Sequence, residues 1–239
     1  MEQENVVNAQ DELPENQAVE EGQVRAKQEK KVRSERFKDG MKNYFTATRI
    51  SYIALFTALS YVVYLLDFSL LPGTPVPFLK LDFSNVFVMI GGFALGPVAG
   101  VIIGVLKEVI HGLTIGNTAF VGELANILYI LTYTLIPAIV YKKHKGIKTV
   151  LLTLALGCIS QCLFCLPIGY FLTFPAFTYA YGQTWEAGQK LLLDTWYWVL
   201  LFNLIKTVSI SAVVMLLYKP LSRLIKLTSA KFQSMKKKA

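Results

Sequence analysis

The stretch that decides the fold is residues 78–126, FLKLDFSNVFVMIGGFALGPVAGVIIGVLKEVIHGLTIGNTAFVGELAN. Glycine-rich and Gly-Pro breaks divide it into short apolar segments. Ionisable and amide side chains lie within or beside these segments, at Lys80, Asp82, Lys107, Glu108, Glu123 and Asn126. An ionisable side chain at the centre of a bilayer costs about 2.5–3.5 kcal/mol on insertion scales. We therefore expect these side chains to face partners or a ligand, with the rest of the chain arranged around them.

The charge of this 239-residue chain sits at its two ends and in one loop, whereas residues 50–217 contain long runs almost without charge. Uncharged apolar runs of roughly 18 or more residues indicate membrane spans. The net charge of +8 would suggest nucleic acid for a soluble protein. In a membrane protein, Lys and Arg instead mark the cytoplasmic side. The composition predicts one membrane domain and no nucleic-acid partner.

Hydropathy predicts six helices, at residues 48–66, 83–95, 98–113, 118–141, 149–173 and 191–218. The N-terminal segment, the loop 142–148 and the C-terminal segment are all basic. Placing all three in the cytoplasm requires an even number of spans on each side of that loop, and four followed by two meets this condition. The predicted fold is therefore an all-α integral membrane protein, a compact bundle of six transmembrane helices with both termini cytoplasmic.

The flanks of this bundle are polar. Residues 1–43 are acidic and then basic, with too little apolar surface to fold, which predicts a disordered cytoplasmic tail. Residues 44–218 form the predicted membrane domain, and residues 219–239 a basic cytoplasmic tail.

Two apolar segments outside the predicted helices suit the surroundings of a pocket. Residues 67–81, DFSLLPGTPVPFLKL, contain three prolines and a glycine, which exclude a regular helix. This loop is either a lid over a pocket or a segment resting in the membrane interface. Residues 174–189 are rich in aromatic side chains and form either an interfacial belt or a pocket wall.

The deep polar residues fall at helical spacings. Glu123 and Asn126 are three apart and share a face, where they bind either a flat polar ligand or a neighbouring helix. Asn203 and Lys206 repeat this spacing in the last helix. Adjacent positions on a helix point in different directions, so Lys107 is expected to pair with Glu123 or a ligand rather than with Glu108. If these helices converge, they enclose one pocket suited to a heteroaromatic ligand with several amide groups.

Metal binding and catalysis have little support. Cys158, Cys162 and Cys165 share one apolar helix without a histidine, which favours packing over metal binding. His111 is expected to be a polar side chain near the interface. The sequence contains no HExxH, Gly-x-Ser-x-Gly or phosphate-loop motif, so we expect neither an enzyme nor an ATPase. No metal and no resident cofactor are predicted.

The chain resembles the substrate-binding subunits of energy-coupling factor (ECF) vitamin transporters, and most closely the riboflavin-specific ones. The resemblance rests on residues 78–84 (FLKLDFS), 96–100 (GPVAG), 122–126 (GELAN) and 202–206 (FNLIK). The pieces occur in order, within a resemblance that covers residues 48–218 and that implies a location in a bacterial cell membrane. The chain departs from the family pattern at Asn85, where Asp is expected, and at Lys107-Glu108, where Lys-Asn is expected.

The resemblance implies that riboflavin enters from outside as the transported substrate and lies under the loop that follows the first helix. The family's binding positions fall on Leu79, Asp82, Lys107, Glu123, Asn126, Asn203 and Lys206. The implied partners are a transmembrane coupling protein and two cytoplasmic ATPases. Ala54 and Ala58, small residues four apart, match the motif that docks the coupling protein, although their spacing alone is equally consistent with packing inside the bundle.

Two alternatives remain at this point. The same fold could carry another vitamin, such as FMN, folate or thiamine. A less favoured possibility is a self-sufficient secondary transporter or an intramembrane enzyme, and the lack of internal inverted repeats argues against the transporter.

Overall fold

A computed structural model describes residues 44–116, 120–144 and 146–236, with side chains described as far as residue 218 and at Pro220. The chain divides into two units, Met1–Ile50 and Ser51–Ala239. The predicted disordered tail at residues 1–43 lies outside the described residues. In the described part of the first unit, the Arg49 guanidinium lies 3.8 Å from the centre of the Tyr44 ring.

The described residues form helices joined by short breaks. Their bounds are α1 Ala47–Tyr64, α2 Asn85–Leu95, α3 Pro97–Thr114, α4 Val121–Ile130, α5 Ile136–Lys143, α6 Ile147–Ile168, α7 Phe174–Ala180 and α8 Trp185–Lys236. A π-helical turn, Leu131–Leu135, joins α4 to α5, and a second, Gly169–Thr173, joins α6 to α7. Six continuous helical stretches therefore stand where six were predicted.

Within the described residues, five of these stretches are long and apolar enough to cross a membrane. The exception is α2, whose 11 residues extend only about 16 Å, roughly half of a hydrocarbon core. The prediction of six spanning helices is thus met for five by length, while α2 packs inside the bundle. Helix α8 also differs from its predicted range of 191–218, because its backbone begins at Trp185 and continues as helix to Lys236.

Helix α2 is the centre of the core. Nine of its 11 residues are buried. Its residues Val86, Met89, Ile90 and Phe93 contact Tyr133, Tyr141, Val150, Leu154, Ile210 and Val214 from the surrounding helices. A helix that is apolar on every side is stable only when other helices surround it, which explains why so short a segment holds this position.

Glycines allow α2 and α3 to form a tight hairpin. Gly96 connects the two helices with φ 99°, a conformation that side chains disfavour. Pro97 follows at the start of α3, where a missing N–H costs nothing. A Cβ on Gly100 would lie 2.8 Å from the Cα of Gly92. The Gly-Pro break therefore sets both the turn and the close packing of the hairpin.

The loop between α1 and α2 is ordered by a small ribbon. Strands β1 Phe68–Ser69 and β2 Lys80–Leu81 pair antiparallel, with Phe68 opposite Leu81. The fold is thus helical with one two-stranded ribbon, a feature absent from the all-α prediction. Between the strands, Val76 is fully buried against Phe174, Leu192 and Val199. The proline-rich loop is therefore packed onto α7 and α8 rather than lying free in the interface.

The π-helical turns precede prolines. Pro137 and Pro175 have no N–H to donate to the carbonyl four residues earlier, so the preceding turn widens. The first widened turn packs tightly against α6, since a Cβ on Gly157 would lie 2.9 Å from the Tyr133 carbonyl oxygen. This turn also directs Thr132 and Tyr133 toward α6 and α8, as their hydrogen bonds show.

Candidate functional site

A cavity of about 440 Å³ lies beneath the ribbon loop. It is lined by the end of α1, the loop 65–82, and parts of α3, α4, α6, α7 and α8. Its volume lies within the range of small-molecule sites. Six of the seven predicted binding residues line it, namely Leu79, Asp82, Glu123, Asn126, Asn203 and Lys206. The tertiary structure thus brings together side chains that come from three separate segments of the sequence, the loop before α2 and the helices α4 and α8.

Asp82 and Lys206 form the central ion pair, with 2.9 Å between Asp82 Oδ2 and Lys206 Nζ. Asp82 is 2% exposed and accepts further hydrogen bonds from the backbone N–H and the hydroxyl of Ser84. Burial raises the pKa of Asp82, but the ammonium groups of Lys206 and Lys107 outweigh it and hold this pKa below its usual value. Asp82 is therefore an ionised carboxylate that fixes the position of Lys206.

Lys107 does not line the cavity but lies behind it, and it is 1% exposed. Its ammonium donates to Ser84 Oγ at 2.7 Å and to Asn85 Oδ1 at 3.2 Å. Through Ser84 it supports the carboxylate of Asp82. Lys107 is thus placed to hold the start of α2 in position rather than to touch a molecule in the cavity.

The expectation that Lys107 and Glu108 would not pair is wrong. Lys107 Nζ lies 2.7 Å from Glu108 Oε1, and both side chains are buried. The contact is a charge pair rather than an aligned hydrogen bond. Adjacent residues rarely pair on a helix because their side chains leave it in different directions. Away from water, an unpaired charge costs several kcal/mol, so the flexible lysine chain bends back to its neighbour.

Glu123 pairs with His111 instead of Lys107. His111 Nδ1 lies 2.9 Å from Glu123 Oε1, and the His111 ring stacks on Tyr64 with 4.0 Å between ring centres. Asn126 donates from Nδ2 to the Tyr64 hydroxyl at 2.9 Å and to Glu108 Oε2 at 3.4 Å. His111 therefore lines the cavity as part of a polar cluster. The sequence offered little reason to link it with Tyr64.

Sequence reasoning also missed Gln161 of α6. It lies within an apolar helix, lines the cavity and is 4% exposed. Its Nε2 donates to Asn203 Oδ1 at 3.0 Å, and its Oε1 accepts from Thr132 at 2.9 Å. A lone amide in a membrane helix is a detectable signal, since such groups need partners in hydrocarbon.

The aromatic segment forms a wall of the cavity, which decides between its two predicted roles. Phe174, Phe177 and Tyr181 line the cavity. Phe78 from the loop stacks on Phe177 with 4.5 Å between ring centres and meets Phe174 edge-on at 5.4 Å. Flat apolar surfaces of this kind suit a planar aromatic ligand.

At the mouth of the cavity, Lys80 and Asp67 pair at 3.0 Å across the ribbon. The Lys80 side chain is 54% exposed, so this pair faces solvent more than the others do. Within the described residues, no group of three or more His, Cys, Asp or Glu side chains is arranged to hold a metal ion.

Ala54 and Ala58 lie on an exposed face of α1, away from the buried residues Ile53, Thr57 and Ser60. Larger apolar side chains on the same helix are also exposed, including Leu55, Leu59 and Val62. This placement leaves the small residues accessible from outside the bundle. Packing inside the bundle, the other reading of their spacing, is not what the structure shows.

The fold and cavity define a membrane-embedded small-molecule carrier, and comparison with known proteins places it in a family. Residues 48–218 match the model of the substrate-specific component of ECF transporters, and the chain belongs to this family. It is a multi-pass cell-membrane protein and a transport component, not an enzyme.

Two curated relatives are riboflavin transporters. The chain is 28% identical to riboflavin transporter RibU of Staphylococcus aureus (strain TCH60) over 179 residues, covering 74% of this chain and 92% of the relative. It is 29% identical to riboflavin transporter FmnP of Bacillus subtilis (strain 168) over 168 residues, covering 70% of this chain and 87% of the relative.

A solved structure agrees with the fold. The S component of a bacterial ECF transporter superposes with a TM-score of 0.61 at 28% identity, covering 75% of this chain and 98% of that chain. The likeness thus extends over nearly the whole of the solved component.

Proposed function

We propose that this protein captures riboflavin from outside the cell in the cavity under the ribbon loop and delivers it through an ECF module. Two relatives are riboflavin transporters, and the family belongs to ECF importers. The binding residues are those predicted from the sequence and found in the cavity wall. Lys107 acts from behind through Ser84. Riboflavin is the cargo, and the protein holds no resident cofactor.

The pairing of charges within the cavity carries this proposal. Every ionisable acidic or basic side chain that the described residues contribute to the wall contacts another one, as Asp67 with Lys80, Asp82 with Lys206, and His111 with Glu123. A phosphate or a polyglutamate tail would need a cationic group that a carboxylate does not already neutralise. The wall instead offers paired charges, amides and aromatic rings. This composition favours a neutral heteroaromatic vitamin over FMN or folate.

The partners follow from the family. We infer that a transmembrane coupling protein docks on the α1 face carrying Ala54 and Ala58, where small side chains permit close helix approach. Two cytoplasmic ATPases supply the energy, and the bundle tilts in the membrane to release its cargo. We place both termini in the cytoplasm, because Lys and Arg are concentrated at the ends and in the loop between α5 and α6. This placement requires an even number of crossings before that loop, so the short helix α2 must carry the chain across the bilayer inside the bundle.

The test is ligand identification followed by titration. Mass spectrometry of the small molecules released on denaturing the purified full chain should find riboflavin. Titration of ligand-free protein should quench flavin fluorescence, because aromatic side chains contact the ring. Flavin that remains fully fluorescent at micromolar protein, or a different copurifying vitamin, would contradict the proposal. Uptake by vesicles lacking any ATPase would favour a secondary transporter instead.

A further inference from the structure

The side-chain amides of Gln161 and Asn203 form a relay whose direction is set by one backbone carbonyl. Asn203 Nδ2 donates to the Val199 carbonyl at 2.9 Å. A carbonyl only accepts, so the nitrogen of Asn203 must face Val199 and its oxygen must face Gln161. Gln161 then presents its nitrogen to Asn203 at 3.0 Å and its oxygen to the hydroxyl of Thr132 at 2.9 Å. Neither amide can flip without losing these bonds.

This relay determines what the two amides offer to a ligand. Each amide nitrogen has two N–H groups, of which one is used inside the relay. Among the described residues, the second N–H of Gln161 and the second N–H of Asn203 have no hydrogen-bond acceptor. Both side chains line the cavity. Both residues are at least 95% buried. A buried donor without an acceptor carries a desolvation penalty, so this wall favours a ligand that supplies acceptors.

The opposite wall, along α4, offers hydrogen-bond acceptors instead of donors. Asn126 uses Nδ2 to donate to the Tyr64 hydroxyl and to Glu108, which leaves its oxygen as the group available to a ligand. The carboxylate of Glu123 also lines this side. Lys206, one turn from Asn203, adds N–H donors to the first wall. The cavity is therefore rich in donors along α6 and α8 and rich in acceptors along α4.

We propose that Gln161 and Asn203 together bind the ligand through hydrogen bonds. Their two N–H donors bind a ring nitrogen and the neighbouring carbonyl of a heteroaromatic ring. This inference rests on the proposed function, because it assigns a residue to the same cavity. It adds a specificity-determining residue from α6, a helix that none of the sequence-predicted binding residues occupies. The ligand lies with its acceptor edge toward α6 and α8.

The central variant is Gln161→Met, which keeps the side-chain volume and removes the amide. Loss of one neutral hydrogen bond is expected to weaken riboflavin binding about three- to tenfold, measured by calorimetry or fluorescence titration. Ser160→Ala is the matched control. Ser160 is the neighbouring buried residue on α6, does not line the cavity and has no hydrogen-bond partner among the described residues. Its replacement should leave affinity unchanged.

Ligand analogues distinguish a direct hydrogen bond from these amides to the ligand from a purely structural role. 1-Deazariboflavin and 5-deazariboflavin each lack one ring-nitrogen acceptor, on opposite sides of the imide. If the amide pair binds one of these edges, the variant of the residue that contacts the ring nitrogen, Gln161→Met or Asn203→Leu, costs less affinity with the corresponding analogue than with riboflavin, and the full loss remains with the other analogue. An equal loss with all three ligands in both variants means that neither amide binds a ring nitrogen, and this overturns the inference.

A second variant guards against misfolding of the first. Thr132→Val removes the hydroxyl that orients Gln161 from outside the cavity, and it should weaken riboflavin binding about two- to threefold. Unchanged affinity in both Thr132→Val and Gln161→Met, with wild type binding normally, overturns this inference alone. Failure of the wild-type protein to bind riboflavin overturns the proposed function and this inference with it.

Discussion

The carboxylate of Asp82 and the ammonium of Lys206 lie 2.9 Å apart, although 124 residues separate them in the chain. The pair joins the segment before α2 to the last transmembrane helix at the centre of the cavity wall. It holds the loop side of the cavity against α8 and fixes the ammonium of Lys206 in the cavity wall. The same contact therefore supports both the fold and the shape of the cavity.

Lys206→Ala should weaken riboflavin binding more than tenfold, because it removes a cavity donor and leaves Asp82 buried without its main partner. Titration of the purified protein measures the change. Lys80→Ala is the matched control, since Lys80 also lines the cavity but its pair with Asp67 is exposed and worth about 0–1 kcal/mol. Equal losses in the two variants would show that the Asp82–Lys206 pair has no special role.

The stability contributed by Asp82 should depend on pH in one direction. Its pKa in the folded protein is below the unfolded value of about 3.9, so its contribution is complete above that value and is lost as the pH falls toward the folded pKa. The difference in melting temperature between wild type and Asp82→Asn should stay constant from about pH 7.5 to 5 and shrink below about pH 4. A difference that already shrinks between pH 7 and 5 would contradict this assignment.

Glu108→Ala should destabilise the ligand-free protein by about 3–5 kcal/mol, because it leaves the buried ammonium of Lys107 without its carboxylate. Thermal unfolding in detergent measures the effect. Lys142→Ala, at an exposed position near the end of α5, should change the melting temperature little. If Glu108→Ala melts like wild type, Ser84 and Asn85 alone satisfy Lys107.

Ala58→Leu should abolish copurification with the coupling protein while riboflavin affinity stays unchanged, because the added side chain keeps another helix away from α1. Ala212→Leu makes the same change on an exposed position of α8 and should preserve the complex. Loss of the complex in both variants, or in neither, would place the docking surface elsewhere.

Phe177→Ala should weaken riboflavin binding and reduce the quenching of flavin fluorescence, because Phe177 lines the cavity and stacks with Phe78 of the loop. An aromatic contact of this kind contributes about 0.5–1.5 kcal/mol beyond its buried area. Phe171→Ala, at a residue 70% exposed, is the control and should behave like wild type. Unchanged quenching in Phe177→Ala would show that the ring lies elsewhere in the cavity.

The helices of this protein could be predicted from sequence because each depends on local properties. Apolar length and the Gly96-Pro97 break located six helical stretches within a few residues, apart from the ends of α8 and the end of the α6–α7 stretch, which continues to Ala180 instead of residue 173. The prolines of residues 67–81 likewise marked the loop that folds over the cavity. The two-residue ribbon and the π-helical turns were not predicted, because they depend on pairing across the loop and on packing around Pro137 and Pro175.

The sequence by itself also determined that costly polar groups lie in or beside apolar segments, and it predicted that Asp82, Glu123, Asn126, Asn203 and Lys206 share a site; all five line the cavity. Only the tertiary structure decided how they pair. Lys107 bends back to Glu108, Glu123 meets His111, and Gln161 joins Asn203. Spacing along one helix indicates which residues share a face. In the absence of water, the partner of a buried charge or amide is the polar group that packing brings within reach, on the same helix or on a neighbouring one.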